Sequence, residues 1–287
     1  MLLAFPEYRE PARRLAAAAG LDYAEVELHR FPDGETRVRL PPELPDSLVL
    51  CRSLDHPDDK LVALLLAAEG ARNLGAQRLT LVAPYLCYMR QDRAFHPGEV
   101  VSQRVIGGLL ARYFDGLVTV DPHLHRVHSL AEAVPLAHPR ALSTRDPIAD
   151  FLRERAPDAL LVGPDAESEQ WVSAVGRRAG LDWRVGEKTR RGDREVSIRL
   201  HGDFAGRHVV LVDDVASTGR TLEVAARKVL DAGAAVVSAM VTHALFADDA
   251  AERLRAAGVH EIWSTDSIPH PSNVIALASL LAAALQE

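Results

Sequence analysis

The sequence predicts an α/β protein with parallel sheets covered on both faces. Short apolar, β-rich runs alternate with longer amphipathic stretches along nearly all of the 287 residues, the pattern of strand–helix–strand repetition. Several amphipathic stretches stop just before a glycine (Gly75, Gly180, Gly233 and Gly258), where a left-handed helix C-cap is expected. The unusual polar residues gather just after the apolar runs, which is where an open parallel sheet carries its ligand loops.

In chain order, strands are expected at Ser47–Cys51, Arg78–Ala83, Leu117–Val120, Ala159–Val162, His208–Val212, Ala235–Val241 and Glu261–Ser264. Helices are expected at Asp58–Leu74, Val101–Tyr113, Ser168–Ala179, Arg220–Ala232 and Ala250–Ala257. The alternation is interrupted near Pro139–Asp146, so an N-terminal domain over 1–140 and a C-terminal domain over 141–287 each receive a parallel sheet. A terminal helix from about Asn273 to Gln286 is free to pack on either half, the N-terminal domain included.

Composition narrows the function. With 48% hydrophobic and 25% charged residues the chain is globular rather than disordered. A formal net charge of −7 offers no broad basic surface, so nucleic acid is not an expected partner and anionic substrates must be caught locally. Cys51 and Cys87 form no CxxC pair and suggest no disulfide framework. The opening MLLAFPEYREPARR does not read as a secretory signal. The most apolar stretches, Leu61–Ala68 and Val274–Leu285, are too short to span a bilayer. A cytoplasmic protein is expected.

The strongest local signal is Leu211-Val-Asp-Asp-Val-Ala-Ser-Thr-Gly-Arg-Thr221. Two acids end an apolar strand and a small-residue loop opens a helix. Hydroxyls and backbone N–H groups at a helix N-terminus suit a sugar 5-phosphate. Asp213 and Asp214 would instead face ribose hydroxyls or a metal, because carboxylates repel phosphate. Helix capping alone would need Ser217 or Thr218, not two acids followed by Ser-Thr-Gly-x-Thr. There is no GxxxxGK[ST] loop and no GxGxxG after the first strand, so any nucleotide is held by another architecture.

This segment resembles the phosphoribosyl-diphosphate motif shared by type I phosphoribosyltransferases and ribose-phosphate diphosphokinases. Other segments resemble the diphosphokinases specifically. Pro84-Tyr-Leu-Cys-Tyr-Met-Arg-Gln-Asp-Arg93 is similar to their ATP-binding signature, which implies that Arg90 and Gln91 hold the nucleotide and Asp92 orients the arginines. Phe31-Pro-Asp-Gly-Glu35 is a strong turn sequence and also resembles the family's adenine loop. There Phe31 would stack on the base of a neighbouring subunit's ATP, with Asp33 and Glu35 accepting its amino hydrogens. Val120-Asp-Pro-His-Leu-His125 resembles the family's Asp-Leu-His element, placing His123 on the metal and ATP. His125 and His128 lie close by, but the cluster lacks the partner Cys pair or HExxH helix of a zinc site.

Gly163-Pro-Asp-Ala-Glu-Ser-Glu-Gln170 stands where the family has a Gly-rich diphosphate loop; Asp165 matches its metal-side acid, while the glycines are replaced and Glu167 and Glu169 read as helix starters. Gly186-Glu-Lys-Thr-Arg-Arg-Gly-Asp-Arg194 resembles the catalytic loop, with Lys188 and Arg190 matching its cations. The resemblance implies two pseudo-symmetric domains of the type I phosphoribosyltransferase kind. It also implies Mg²⁺, the substrates ATP and ribose 5-phosphate, and a homo-oligomer of at least two chains. The reaction implied moves the β,γ-diphosphoryl group of ATP to the 1-hydroxyl of ribose 5-phosphate. Three alternatives stay open at the level of sequence: a diphosphokinase for another phosphorylated pentose, a catalytically silent regulatory homologue, and a type I phosphoribosyltransferase.

Overall fold

Parallel strands buried on both faces need apolar residues at nearly every position, and the apolar runs supply them. The computed structural model describes residues 1–124, 126–191 and 195–286, the side chains of 188–191 and 195–197 excepted. It divides into two compact units. The first comprises Met1–Leu142, Ser267–Pro269 and Ala276–Glu287; the second comprises Ser143–Asp266 and His270–Ile275.

In the first unit the order is β1 (Leu2–Ala4), α1 (Arg9–Ala19), β2 (Tyr23–Glu25), a hairpin of β3 (Glu27–Arg30) and β4 (Thr36–Arg39), β5 (Ser47–Cys51) and α2 (Asp58–Asn73). Then come β6 (Arg78–Ala83), α3 (Ser102–Tyr113), β7 (Gly116–Val120), α4 (Leu130–Ala133) and β8 (Arg140–Leu142). The sheet runs β2-β1-β5-β6-β7-β8, parallel throughout. Leu48 and Leu50 of β5 face one core with Leu61 and Leu64 of α2, whereas Cys51 faces another with Leu15 of α1 and Leu281.

The second unit repeats this plan with α5 (Arg145–Arg155), β9 (Leu160–Gly163), α6 (Glu169–Ala179), β10 (Trp183–Val185) and a hairpin of β11 (Glu187–Arg191) and β12 (Glu195–Arg199). It continues with β13 (His208–Ala216), α7 (Arg220–Asp231), β14 (Val236–Ala244), α8 (Ala250–Ala256), β15 (Val259–Thr265) and β16 (Asn273–Ile275). Its strand order, β10-β9-β13-β14-β15-β16, is the same topology, again parallel. Along β13, Val209 and Leu211 pack with Leu222 and Val229 of α7, while Val210 and Val212 pack with Leu152 of α5 and Val175 of α6.

The α/β class expected from sequence is the fold observed. Three elements differ from their expected form. Asn273–Ile275 is an edge strand, and the terminal helix α9 spans Ala278–Gln286 in the first unit, against α1. β13 runs on to Ala216, so Asp213 and Asp214 lie within a strand rather than after it. The stretch at Pro139–Asp146 holds β8 and the start of α5.

One close approach depends on a missing side chain. A methyl on Gly107 of α3 would lie 1.8 Å from the Ala133 carbonyl oxygen, a backbone atom that cannot rotate away, whereas one on Gly108 would meet nothing within 4 Å. Gly107→Ala should therefore destabilise the protein by about 1–3 kcal/mol or more. Gly108→Ala should be neutral or slightly stabilising, since Ala favours helix over Gly. Thermal melts of the two variants check this; equal melting temperatures would contradict the packing described.

Candidate active site

In each sheet the chain reverses direction of growth between two neighbouring strands, β1 and β5 in the first and β9 and β13 in the second. Such a switch point opens a crevice at the carboxyl ends of the strands. In the second unit it brings the loop after β9 and the end of β13 together. Burial, then the charges of Asp214 and Asp165, push the Asp213 carboxyl well above the ordinary carboxylate range. Asp213 Oδ1 accepts the Asp214 N–H at 3.0 Å. Asp213 is thus buried within the field of two further carboxylates.

Below them α7 begins at Arg220 with Gly219 as its N-cap, held in the left-handed region at φ 68°, and no side chain caps the helix. The capping reading of Ser217 and Thr218 is therefore not what the structure uses them for. The first-turn N–H groups of a helix are strong, orphaned donors at the positive end of its dipole. Left uncapped among Ser217, Thr218 and Thr221, they have the donor arrangement that an anion would need.

Asp165 has a structural duty as well. Its Oδ1 accepts the N–H groups of Glu167 at 3.1 Å and Ser168 at 3.2 Å, forming a capping box with Ser168 ahead of α6. Glu167 and Glu169 are exposed on that turn, as helix starters are. The hairpin that carries Lys188 and Arg190 springs from beside this loop, since Gly186 N–H donates to Gly163 O at 2.8 Å. Both residues lie on β11, opposite Ile198 and Val196; their side chains lie outside the described residues.

In the first unit the segment after β6 is held from two sides. Gln103 Nε2 donates to Met89 O at 3.0 Å, and Ser102 Oγ to Gln91 Oε1 at 3.0 Å, both from the first turn of α3. Tyr88, at φ 60°, donates its hydroxyl to Asp58 at the start of α2. Asp92 is buried and binds Arg126, accepting its backbone N–H at 3.0 Å and its guanidinium at 2.9 Å. Burial would raise this carboxyl, but the Arg126 groups outweigh it and hold it below the ordinary range. The expectation that Asp92 orients its flanking arginines is corrected here: its partner is Arg126, in the loop after β7. Arg90 is exposed and pairs with no described residue, while Arg93 stacks on Phe95 at 4.8 Å. Arg126 lies over the same ring at 5.9 Å.

His123 sits in a tight turn behind β7, where Leu124 N–H donates to Pro122 O at 2.8 Å and Val120 N–H to Pro84 O at 3.3 Å. That second bond extends the β6–β7 pairing to the points where the His123 turn and the segment carrying Arg90 and Gln91 leave their strands. The structure thus gathers Arg90, Gln91, Asp92 and His123 on one sheet end. It does not join Phe31 to them. Phe31 is 40% exposed at the tip of the β3–β4 hairpin, edge-on to His29, with Asp33 accepting the Glu35 N–H at 3.1 Å. No hydrogen bond or ion pair among the described residues links this hairpin to the 84–126 loops. Arg126 and Phe95 were not singled out from sequence; the pairing of Arg126 with an acid 34 residues away leaves no local signal.

Comparison with known proteins gives the family. Residues 1–113 match the family model described as the N-terminal domain of ribose phosphate pyrophosphokinase, and residues 186–282 match the phosphoribosyl synthetase-associated domain. The chain is 38% identical to a ribose-phosphate pyrophosphokinase of Methanopyrus kandleri, over 100% of this chain and 98% of the relative. The chain belongs to the ribose-phosphate pyrophosphokinase family. It is also 34% identical to the ribose-phosphate pyrophosphokinase of Thermococcus kodakarensis over 90% of this chain and 91% of that one. In fold it is similar to the phosphoribosylpyrophosphate synthetase of Mycobacterium smegmatis, with a TM-score of 0.84 at 24% identity, covering 100% and 97% of the two chains. That likeness extends over both units, which repeat one parallel-sheet topology. No helix among the described residues is long and apolar enough to cross a membrane.

The crowded carboxylates carry a stability cost. A carboxyl whose folded-state pKa is raised contributes stability below its unfolded value, near pH 4, and loses it as pH rises. At about pH 7 in metal-free buffer Asp213→Asn should therefore raise the melting temperature, and the gain should vanish towards pH about 4. A melting temperature lowered at neutral pH would contradict the electrostatics.

Proposed function

We infer that this chain is a ribose-phosphate diphosphokinase, converting ATP and ribose 5-phosphate to AMP and 5-phosphoribosyl 1-diphosphate. The observation that carries this is the uncapped amino end of α7 beneath Asp213 and Asp214, in a chain related over its whole length to ribose-phosphate pyrophosphokinases. Other phosphorylated pentoses, a silent homologue and a phosphoribosyltransferase are not favoured by those relatives.

The roles follow from chemistry. Ser217, Thr218, Gly219 and Thr221, with the first N–H groups of α7, bind the 5-phosphate, and Asp213 and Asp214 accept hydrogen bonds from ribose hydroxyls. Arg90 and Gln91 bind the ATP phosphates, Asp92 acts through Arg126, and His123 lies beside the nucleotide. The ribose 1-hydroxyl attacks the β-phosphorus and releases its proton to water; the bond from that phosphorus to the α,β-bridging oxygen breaks, and its electrons leave on AMP. Lys188 and Arg190 stabilise the charge that spreads over the nonbridging oxygens. Positioning, rather than a dedicated base, supplies most of the acceleration.

The residues fit Mg²⁺. Asp165, Asp213 and Asp214 are hard oxygen donors whose mutual repulsion a cation would relieve. Among the described residues no three metal-binding side chains are gathered, and Mg²⁺ ordinarily takes one or two carboxylates together with substrate phosphates. We assign Asp165 and the Asp213–Asp214 pair as protein contacts of the ion in the second unit, and His123 as a metal and ATP contact within the first. When bound, the ion neutralises phosphate charge and polarises the β-phosphoryl group.

Phe31, Asp33 and Glu35 are assigned to the adenine of a neighbouring chain's ATP, which makes the active form a homo-oligomer of at least two chains; the exposed Phe31 ring supports this. The buried thiols of Cys51 and Cys87 suit a reducing compartment, and we assign the protein to the cytoplasm. A ³¹P NMR time course with ATP, Mg²⁺ and ribose 5-phosphate tests the reaction. It should show AMP together with a sugar-linked diphosphate, made by a species that light scattering finds to be oligomeric. Unchanged phosphates would defeat the assigned reaction, and a fully active monomer the assigned role of Phe31.

A further inference from the structure

The loop that ends β13 is fixed from behind by three consecutive carbonyls. Ala216 O accepts the Phe246 N–H at 2.8 Å, and Ser217 O accepts the Ala247 N–H at 3.0 Å. Thr218 O accepts from Arg253 Nη2 at 2.7 Å. The first two donors are backbone groups of the β14–α8 connection; the third is a side chain of α8. No peptide bond of the described chain is cis, and in a planar trans peptide the N–H points opposite to the C=O. Anchoring these three carbonyls on the α8 side therefore turns the N–H groups of Ser217, Thr218 and Gly219 the other way. There they join the uncapped first turn of α7 in one concave row of donors, the arrangement that binds anions.

Of the three anchors, the one at Thr218 sets the last peptide before the helix. Its N–H belongs to Gly219, whose left-handed conformation at φ 68° gives the loop no intrinsic preference for one setting of that peptide. Arg253 is itself held. Its guanidinium also binds the Asp249 carboxylate one turn back on α8, and its Nε lies 3.8 Å from Glu223 of α7. Glu223 in turn accepts from Arg227 at 2.9 Å. The guanidinium is thus braced between the helix that follows the loop and the helix behind it.

We propose that Arg253 is a positioning residue for the sugar phosphate, holding the Thr218 carbonyl so that the Gly219 N–H faces the 5-phosphate. It touches the loop, not the substrate. This rests on the assignment of the 213–221 loop to ribose 5-phosphate. Removing the brace frees one peptide plane and weakens one charge-assisted contact to the phosphate, while the ATP-binding residues of the first unit are untouched.

Steady-state kinetics on the full chain test it. Arg253→Met should raise KM for ribose 5-phosphate about tenfold, with kcat and the KM for ATP within about twofold. Arg253→Lys keeps one charged donor on a stem that reaches the same carbonyl, and should recover most of that loss. It also serves if the methionine variant melts below the assay temperature, with an expected rise of about two- to fourfold in the sugar-phosphate KM alone. An unchanged KM for ribose 5-phosphate in a folded Arg253→Met protein, or equal changes in both substrates' KM values, would overturn the proposal. A wild-type protein that fails to consume ribose 5-phosphate would instead defeat the assigned function, so the two failures are told apart.

Discussion

The parallel ladder that holds β13 between β9 and β14 sets the direction in which every loop of the second unit leaves its sheet. Because all three strands point the same way, the loops after β9, β13 and β14 emerge at one end. The acids of two of them meet, and the third supplies the backbone donors that hold the second in place. A single antiparallel strand here would carry one of these loops to the opposite edge. The continuous apolar runs that bury both faces are therefore also what gathers the polar groups.

The same end of each sheet is where unfavourable features collect. Asp213 is pushed towards its neutral form by burial and by two neighbouring carboxylates. Of the non-glycine residues with positive φ, His56 follows β5, Tyr88 follows β6, Asp121 follows β7, and Phe246 and Asp248 follow β14. Each such residue costs of order 1–3 kcal/mol, and such conformations persist only where the surroundings over-determine them. Here the surroundings are visible: Tyr88 is tied to Asp58, Asp121 N–H to Leu142 O at 2.9 Å, and Phe246 N–H to Ala216 O at 2.8 Å. Strain and like charge concentrated at strand ends suit a scaffold whose stability is spent on holding a binding surface.

The central strands were legible in the sequence because burial on both faces leaves few polar residues to interrupt them; the wholly apolar, buried Ala159–Val162 is an example. Shorter strands were not. Leu2–Ala4, Tyr23–Glu25 and Trp183–Val185 are too brief for any period to show, and their pairing comes from the neighbours that recruit them. Asn273–Ile275 read as helix because the apolar residues that follow it do form one. At the candidate site the sequence pointed to chemistry at the ends of strands. What it left out was partnership. Nothing near Asp92 signals Arg126, and nothing near Thr218 signals Arg253, because both contacts are made by the fold rather than by adjacency. Asp165 shows the converse, a residue with a functional resemblance that the chain also uses to cap a turn.

The arrangement at the start of α7 is open to direct inspection. A crystal structure of the protein with ribose 5-phosphate should show the 5-phosphate against the N–H groups of Gly219 and the first turn of α7, with the ribose hydroxyls towards Asp213 and Asp214. A 5-phosphate bound instead at the Asp165 turn, or against the exposed arginines of the first unit, would contradict the reading of this loop as the sugar-phosphate site.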